Sequence, residues 1–383
     1  MTTSFLPPAH DKLLFTPGPL TTSLSVKHAM LHDAGSWHYE FNARVAAIRD
    51  RLLTLAGVSR NRGWETVLLQ GTGSYAVEAV FVTCVPPHGK VLVLANGAYG
   101  ERMVRMLQHA RINHTVLRSP EDTPSDPTAL DAQLGGDPDI THVAMVHCET
   151  TTGLMNPLRE IGAVTRRHQR ALVVDAMSSF GAYPVDLERI GVDYLISSPN
   201  KCFEGVPGFA FVICPRQKLE ACAGFARSLG LDLLAQLQGF DANEQFRFTP
   251  PTHALLAFEQ ALRELDAEGG FVARLARYQL NHRVLVDGMR EFGFKPYLDP
   301  AVQSCIITAF LYPDLPGFDF STFYRRLSDS GYIIYPGKLT QADTFRIGSI
   351  GRIDSSDIRA LLRAIDQATH DWRAAAPAGT ARA

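Results

Sequence analysis

The run Asp193-Tyr-Leu-Ile-Ser-Ser-Pro-Asn-Lys201-Cys-Phe-Glu-Gly-Val-Pro-Gly208 reads as a short apolar strand that stops at a lysine and a glycine turn. A second such strand, Ala171-Leu-Val-Val-Asp175, ends in a carboxylate 26 residues earlier. Working outward, further strands are expected at Thr66–Gln70, Val91–Ala95, Ile112–Arg118, His142–His147 and Phe209–Cys214, besides Tyr194–Ser197. Most are apolar almost throughout, as strands covered on both faces must be. Helical patterns at Tyr75–Cys84, Glu101–Ala110 and Glu160–Gln169 lie between them. This alternation implies an α/β unit with a mostly parallel sheet, whose ligands bind beyond the carboxyl ends of the strands.

Beyond Pro250-Pro251 a long helical stretch is expected from about His253 to Phe292, broken at Gly269-Gly270. Strand Gln303–Leu311, helix Ser321–Ser330, strand Thr344–Ile347 and helix Ser356–Trp372 then read as a smaller α+β unit. The expected division is 1–20 as an N-terminal segment serving the small unit or the active site, 21–255 as the large unit, 256–372 as the smaller one and 373–383 as a frayed tail.

A chain of 383 residues is too long for one small core, and 46% hydrophobic with 20% charged residues suits a water-soluble globular enzyme. A formal net charge of −2 argues against nucleic acid or a membrane surface as partner. Six cysteines without a CxxC pair suggest reduced thiols in a cytoplasmic protein, with neither a disulfide framework nor a metal site. Neither a signal peptide nor a bilayer-spanning run is read.

Several short blocks carry chemistry. Gln70-Gly-Thr-Gly-Ser-Tyr75 joins a strand to a helix. Its glycines admit an anion to the backbone, and Thr72, Ser74 and the free helix amides can hold a phosphate. The competing reading is an ordinary capped turn. No lysine follows in the manner of a Walker motif, and GxGxxG is not matched. Asp175 follows four apolar residues, so its carboxylate needs compensation, which the protonated ring nitrogen of pyridoxal phosphate would supply; otherwise it caps a turn. Lys201 can condense with that cofactor's aldehyde if it is desolvated and neutral, whereas an isolated lysine is usually a solvated surface charge. Thr150, in His147-Cys-Glu-Thr150-Thr-Thr-Gly153, can hydrogen-bond a ring oxygen or simply belong to a turn. Tyr99 can stack on an aromatic ring or lie in the core. Arg346, inside an apolar strand, needs an anion: a substrate carboxylate or phosphonate, or an internal acid.

Together these segments resemble the fold-type I, class V aminotransferases that use pyridoxal 5'-phosphate. Within them they are most similar to the branch that exchanges an amino group between 2-aminoethylphosphonate and pyruvate. The blocks that carry the resemblance are Leu14-Phe-Thr-Pro-Gly-Pro19, Ser36-Trp-His-Tyr-Glu-Phe41, Asn200-Lys-Cys-Phe-Glu-Gly-Val-Pro-Gly208 and Phe345-Arg-Ile-Gly348. The resemblance implies that Lys201 bonds the cofactor and shuttles the proton, and that Asp175 meets the pyridine nitrogen. Thr72, Gly73 and Ser74 would hold the phosphate, Tyr99 would lie on the ring, and Thr150 would reach its oxygen. Thr252 would touch the phosphate of the neighbouring subunit, making a homodimer with shared sites, and Arg346 would hold the anionic end of the substrate.

Ser-Pro-Asn stands before Lys201 where the family more often has Ser-Ala-Asn, and Phe203-Glu204 replaces an apolar–Gln pair. The alternative within the family is an alanine– or serine–glyoxylate aminotransferase. A cysteine desulfurase would need a mobile reactive cysteine, which neither Cys202 nor Cys305 suggests. A regulatory ligand sensor would need an attached DNA-binding segment, and none is read before residue 11.

Overall fold

The computed structural model describes residues 11–339 and 342–375. The first ten residues of the expected N-terminal segment, and the expected frayed tail beyond 375, lie outside them. One sheet of seven strands organises the chain: β1 (Trp64–Gly71), β2 (Lys90–Ala95), β3 (Asn113–Arg118), β4 (Ile140–Val146), β5 (Ala171–Asp175), β6 (Tyr194–Ser197) and β7 (Gly208–Pro215). Their spatial order is β1-β7-β6-β5-β4-β2-β3. Only β7 runs against its neighbours; β2, β3, β4, β5 and β6 pair in parallel. All seven strands fall where the apolar runs place them.

Helices α1 (Tyr39–Leu55), α2 (Gly73–Cys84) and α3 (Ala98–His109) cover this sheet. Leu172, Val173, Val174, Leu195 and Ile196 have no exposed surface. Burying each such side chain contributes about 1.5–3 kcal/mol, which explains why the central strands lack polar alternation. The reversed β7 has a consequence for the site. Gly208, its first residue, pairs with Gly71, the last of β1, so the loop carrying Lys201 returns to the edge where β4, β5 and β6 end.

Helices α4 (Thr252–Glu268) and α5 (Gly270–Glu291) meet at Gly269 and Gly270, both at positive φ. Side chains rarely adopt that conformation, so the helix breaks where the glycine pair stands. A second sheet follows, β8 (Ile307–Leu311), β9 (Tyr335–Pro336) and β10 (Thr344–Gly348), in antiparallel order β8-β10-β9. It packs with α6 (Phe320–Asp329) and α7 (Ser355–Ala374) around Phe294, Phe310, Phe323 and Phe345. Asp354 starts α7 with a reciprocal capping box to Asp357. Leu13–Leu14 pairs in parallel with Tyr332–Ile333, so the early chain joins this second unit.

The structure departs from expectation at Gln303. The strand expected from that residue begins only at Ile307. Residues 302–304 instead bond the 153–155 turn, with the Met155 amide donating to the Val302 carbonyl at 2.9 Å and the Ser304 amide to the Gly153 carbonyl at 2.8 Å. The Gln303 side-chain amide donates to the carbonyls of Ser304 and Ile307, both at 2.8 Å.

Candidate active site

Strand ends and helix starts bring seven of the expected residues to one cavity of about 340 Å³: Thr72, Gly73, Ser74, Tyr99, Thr150, Asp175 and Lys201. At one end lies the N-terminus of α2. Thr72 makes no side-chain cap there, and the Gly73 and Ser74 amides have no acceptor among the described residues. Two unpaired N–H groups at the positive end of a helix, beside two hydroxyls, form a donor set for a phosphate. Arg102 reinforces it by donating to the Ser74 hydroxyl at 2.9 Å.

Asp175 ends β5 and is buried, and one of its oxygens accepts the Met177 amide at 3.0 Å. Burial pushes its acid up to about 6, against the Met177 hydrogen bond and the nearby Arg102 and Lys201. Lys201 rests with Nζ 3.3 Å from the Gly18 carbonyl. Burial lowers its pKa, although Tyr99 and Asp175 favour the charged form. Burial would raise the Tyr99 phenol, but Lys201, the Thr150 hydroxyl, Lys338 and Arg346 bring it below its ordinary value.

Arg346 is 1% exposed in β10, and no carboxylate lies within 4.0 Å of it among the described residues. The internal salt bridge is therefore not what holds it. Its Nε donates to the Pro336 carbonyl at 3.0 Å and Nη1 to the Thr150 carbonyl at 2.9 Å, which aims the guanidinium at the Tyr99 side of the site. Burial lowers its pKa, with Tyr99, Tyr335 and Glu149 opposing.

A family profile described as "Aminotransferase class-V" matches residues 20–326. The chain belongs to the class-V aminotransferases. It is 53% identical over 364 residues to a Salmonella typhimurium 2-aminoethylphosphonate–pyruvate transaminase, covering 94% of this chain and 99% of that protein. Among solved structures, an alanine–glyoxylate aminotransferase from Nostoc sp. superposes with a TM-score of 0.86 at 25% identity, covering 95% of this chain and 97% of that one. A PLP-bound phosphoserine aminotransferase from Trichomonas vaginalis shares the fold at a TM-score of 0.75 and 18% identity, over 92% of this chain and 99% of that one.

Within this class-V site, several residues escaped the sequence reading. Arg102, Met103 and Met106 line the cavity beside the expected Tyr99. They recur at helical spacing on one face of α3, a pattern visible in the sequence once Tyr99 is chosen. Glu149 is fully buried. It accepts from the Thr151 hydroxyl at 2.6 Å, the Tyr99 amide at 3.2 Å and the Gly100 amide at 3.3 Å. Burial raises its acid, yet these bonds tie the Thr150 turn to the start of α3 and set Thr150 opposite Tyr99. Gly18, at φ +116°, has no room for a Cβ, which would lie 2.8 Å from Lys201 Nζ. Thr252, the first residue of α4, does not line the cavity of its own chain.

Proposed function

We propose that this protein transfers the amino group of 2-aminoethylphosphonate to pyruvate, giving phosphonoacetaldehyde and L-alanine, with pyridoxal 5'-phosphate as cofactor. The near full-length similarity to the Salmonella typhimurium enzyme carries the substrate assignment. The donor set of the cavity supports the cofactor. Unpaired amides with Arg102 fit a phosphate, and a buried carboxylate raised to about 6 fits a protonated ring nitrogen. When bound, that cofactor supplies an electrophilic aldehyde carbon and a ring able to absorb a carbanion's electrons.

In this reading Thr72, Gly73 and Ser74 hold the phosphate, Tyr99 lies on the ring, Thr150 reaches the ring oxygen and Asp175 holds the nitrogen protonated. Lys201 is the covalent anchor. Burial favours the neutral amine that attachment would need, and the same amine, when free, would take the proton from the reacting carbon. Arg346 receives phosphonate and carboxylate in turn, since both offer two oxygens to its planar fork.

We also infer a homodimer acting in the cytoplasm, with Thr252 directed to the partner's cofactor. Trp37 and Phe248, 79% and 49% exposed, line one groove, and exposed aromatic side chains grouped in this way suit a subunit interface. The division into two units is supported by separate apolar clusters. Because Leu255, Phe258, Leu262 and Leu265 of α4 pack with the first cluster, we place the boundary at Gly269–Gly270, after the expected position at 255.

A donor screen tests the function. Purified holoprotein with pyruvate should release alanine with 2-aminoethylphosphonate and not with ordinary amino acids. Efficient turnover with serine, or with alanine and glyoxylate, would assign it to the glyoxylate branch instead.

A further inference from the structure

The proposed reaction asks one end of the site to accept two different anions. Pyruvate and alanine present a carboxylate with a single charge. A phosphonate has a second ionisation resembling that of a phosphate monoester, whose value is about 6, so at pH 8 it is largely a dianion. Arg346 brings one positive charge, and two of its nitrogens already serve the Pro336 and Thr150 carbonyls.

A second cation stands on the same side. Lys338 lies two residues beyond Pro336, and its Nζ is 5.4 Å from the centroid of the Tyr99 ring. Tyr99 lines the cavity, and Arg346 and Lys338 both act on its phenol. Arg102 also meets this ring, with Cζ 4.7 Å from the centroid, but it is tied to Ser74 at the phosphate end. Lys338 is exposed and has no carboxylate within 4.0 Å among the described residues. The Gly337 amide donates to the Thr344 carbonyl at 2.9 Å, fixing the backbone beside it to the strand that carries Arg346.

Resting on the substrate reading above, we propose that Lys338 is a specificity-determining residue that pairs with the second charge of the phosphonate, so that the site favours a phosphonate over a carboxylate donor. A flexible ammonium suits this task. It reaches the anion as a point charge while Arg346 fixes the orientation. With a carboxylate, Lys338 finds no second charge and contributes little.

The experiment compares steady-state kinetics of the parent holoenzyme, Lys338→Met and Lys338→Arg at pH 8. The phosphonate is one amino donor; in the reverse direction, with phosphonoacetaldehyde as acceptor, L-alanine is the other. In Lys338→Met, kcat/KM for 2-aminoethylphosphonate should fall at least 10-fold while that for alanine falls less than 3-fold. Lys338→Arg should return the phosphonate value to within 3-fold of the parent. The rise in phosphonate KM on going from pH 8 to pH 5.5 should be smaller in Lys338→Met. Equal losses for both donors, or no loss with the phosphonate, would overturn the assignment. If the parent enzyme itself takes no amino group from 2-aminoethylphosphonate, the substrate reading fails first and this inference falls with it.

Discussion

Lys201 and Asp175 are two ionisable side chains whose pKa values burial shifts in opposite directions. The lysine is pushed toward its neutral form and the acid also toward its neutral form, up to about 6. Replacing Lys201 by Ala should lower kcat by on the order of 10²–10⁴-fold through loss of proton transfer alone, read in a coupled alanine assay. Arg346→Ala should instead act mainly on KM, raising it roughly 10- to 100-fold, because charge-assisted hydrogen bonds are each worth about 1.5–3 kcal/mol. Asp175 also makes a prediction about stability without cofactor. Its folded pKa lies above the ordinary 3.8, so its contribution is complete below pH 4 and is lost as pH rises through 6. A shift of roughly two units corresponds to about 3 kcal/mol at most. Cofactor-free Asp175→Asn should therefore be more stable than the parent at pH 7.5 and no more stable at pH 4, as measured by urea denaturation. An equal difference at both pH values would show that ionisation is not the cause.

At the scale of elements, a buried ionic cluster locks the lysine loop to α5. Glu204 has φ +61° and its amide donates to the Lys201 carbonyl at 2.8 Å. Its carboxylate accepts from Arg277 at 2.7 Å and from the Tyr278 hydroxyl at 2.5 Å. Arg274 donates to the Cys202 carbonyl at 2.7 Å, and Arg277 reaches the Gly351 and Ile353 carbonyls at 2.7 and 2.8 Å. Glu204→Ala leaves Arg274 and Arg277 with Glu268 as their remaining carboxylate. It should cost on the order of 3–5 kcal/mol of stability, seen as a lower denaturation midpoint. A change below about 1 kcal/mol would mean that the cluster is already compensated by solvent.

The elements themselves were legible because burial on both sheet faces demands uninterrupted apolar runs, as in Ala171–Asp175. Glu204 could be noticed only as an odd residue beside the lysine. Its partners lie some 70 residues away on α5, and no local pattern announces that pairing. The late start of the strand after Gln303 has a similar origin, since an apolar run does not reveal that residues 302–304 will pair with a turn some 150 residues away. Site residues next to strand ends were readable. Arg102 was legible only as a helical neighbour of Tyr99, and Glu149 was not, because its role arises only when α3 docks on the turn after β4.

For the whole molecule, the proposed homodimer makes a prediction of its own. If Trp37 is part of that interface, Trp37→Glu should shift the protein toward monomers at low micromolar concentration in sedimentation velocity, since a charge is poorly compensated inside an apolar interface. An unchanged sedimentation coefficient would place the interface elsewhere. That arrangement could not be read from periodicity, because a strand or helix face turned toward a second copy has the same pattern as one turned toward its own core. The account as a whole rests on a covalent link between this chain and its cofactor. Borohydride reduction of the pyridoxal phosphate-loaded protein, followed by peptide mapping, should leave one label per chain, on Lys201. A label on any other lysine, or none with the cofactor bound, would contradict it.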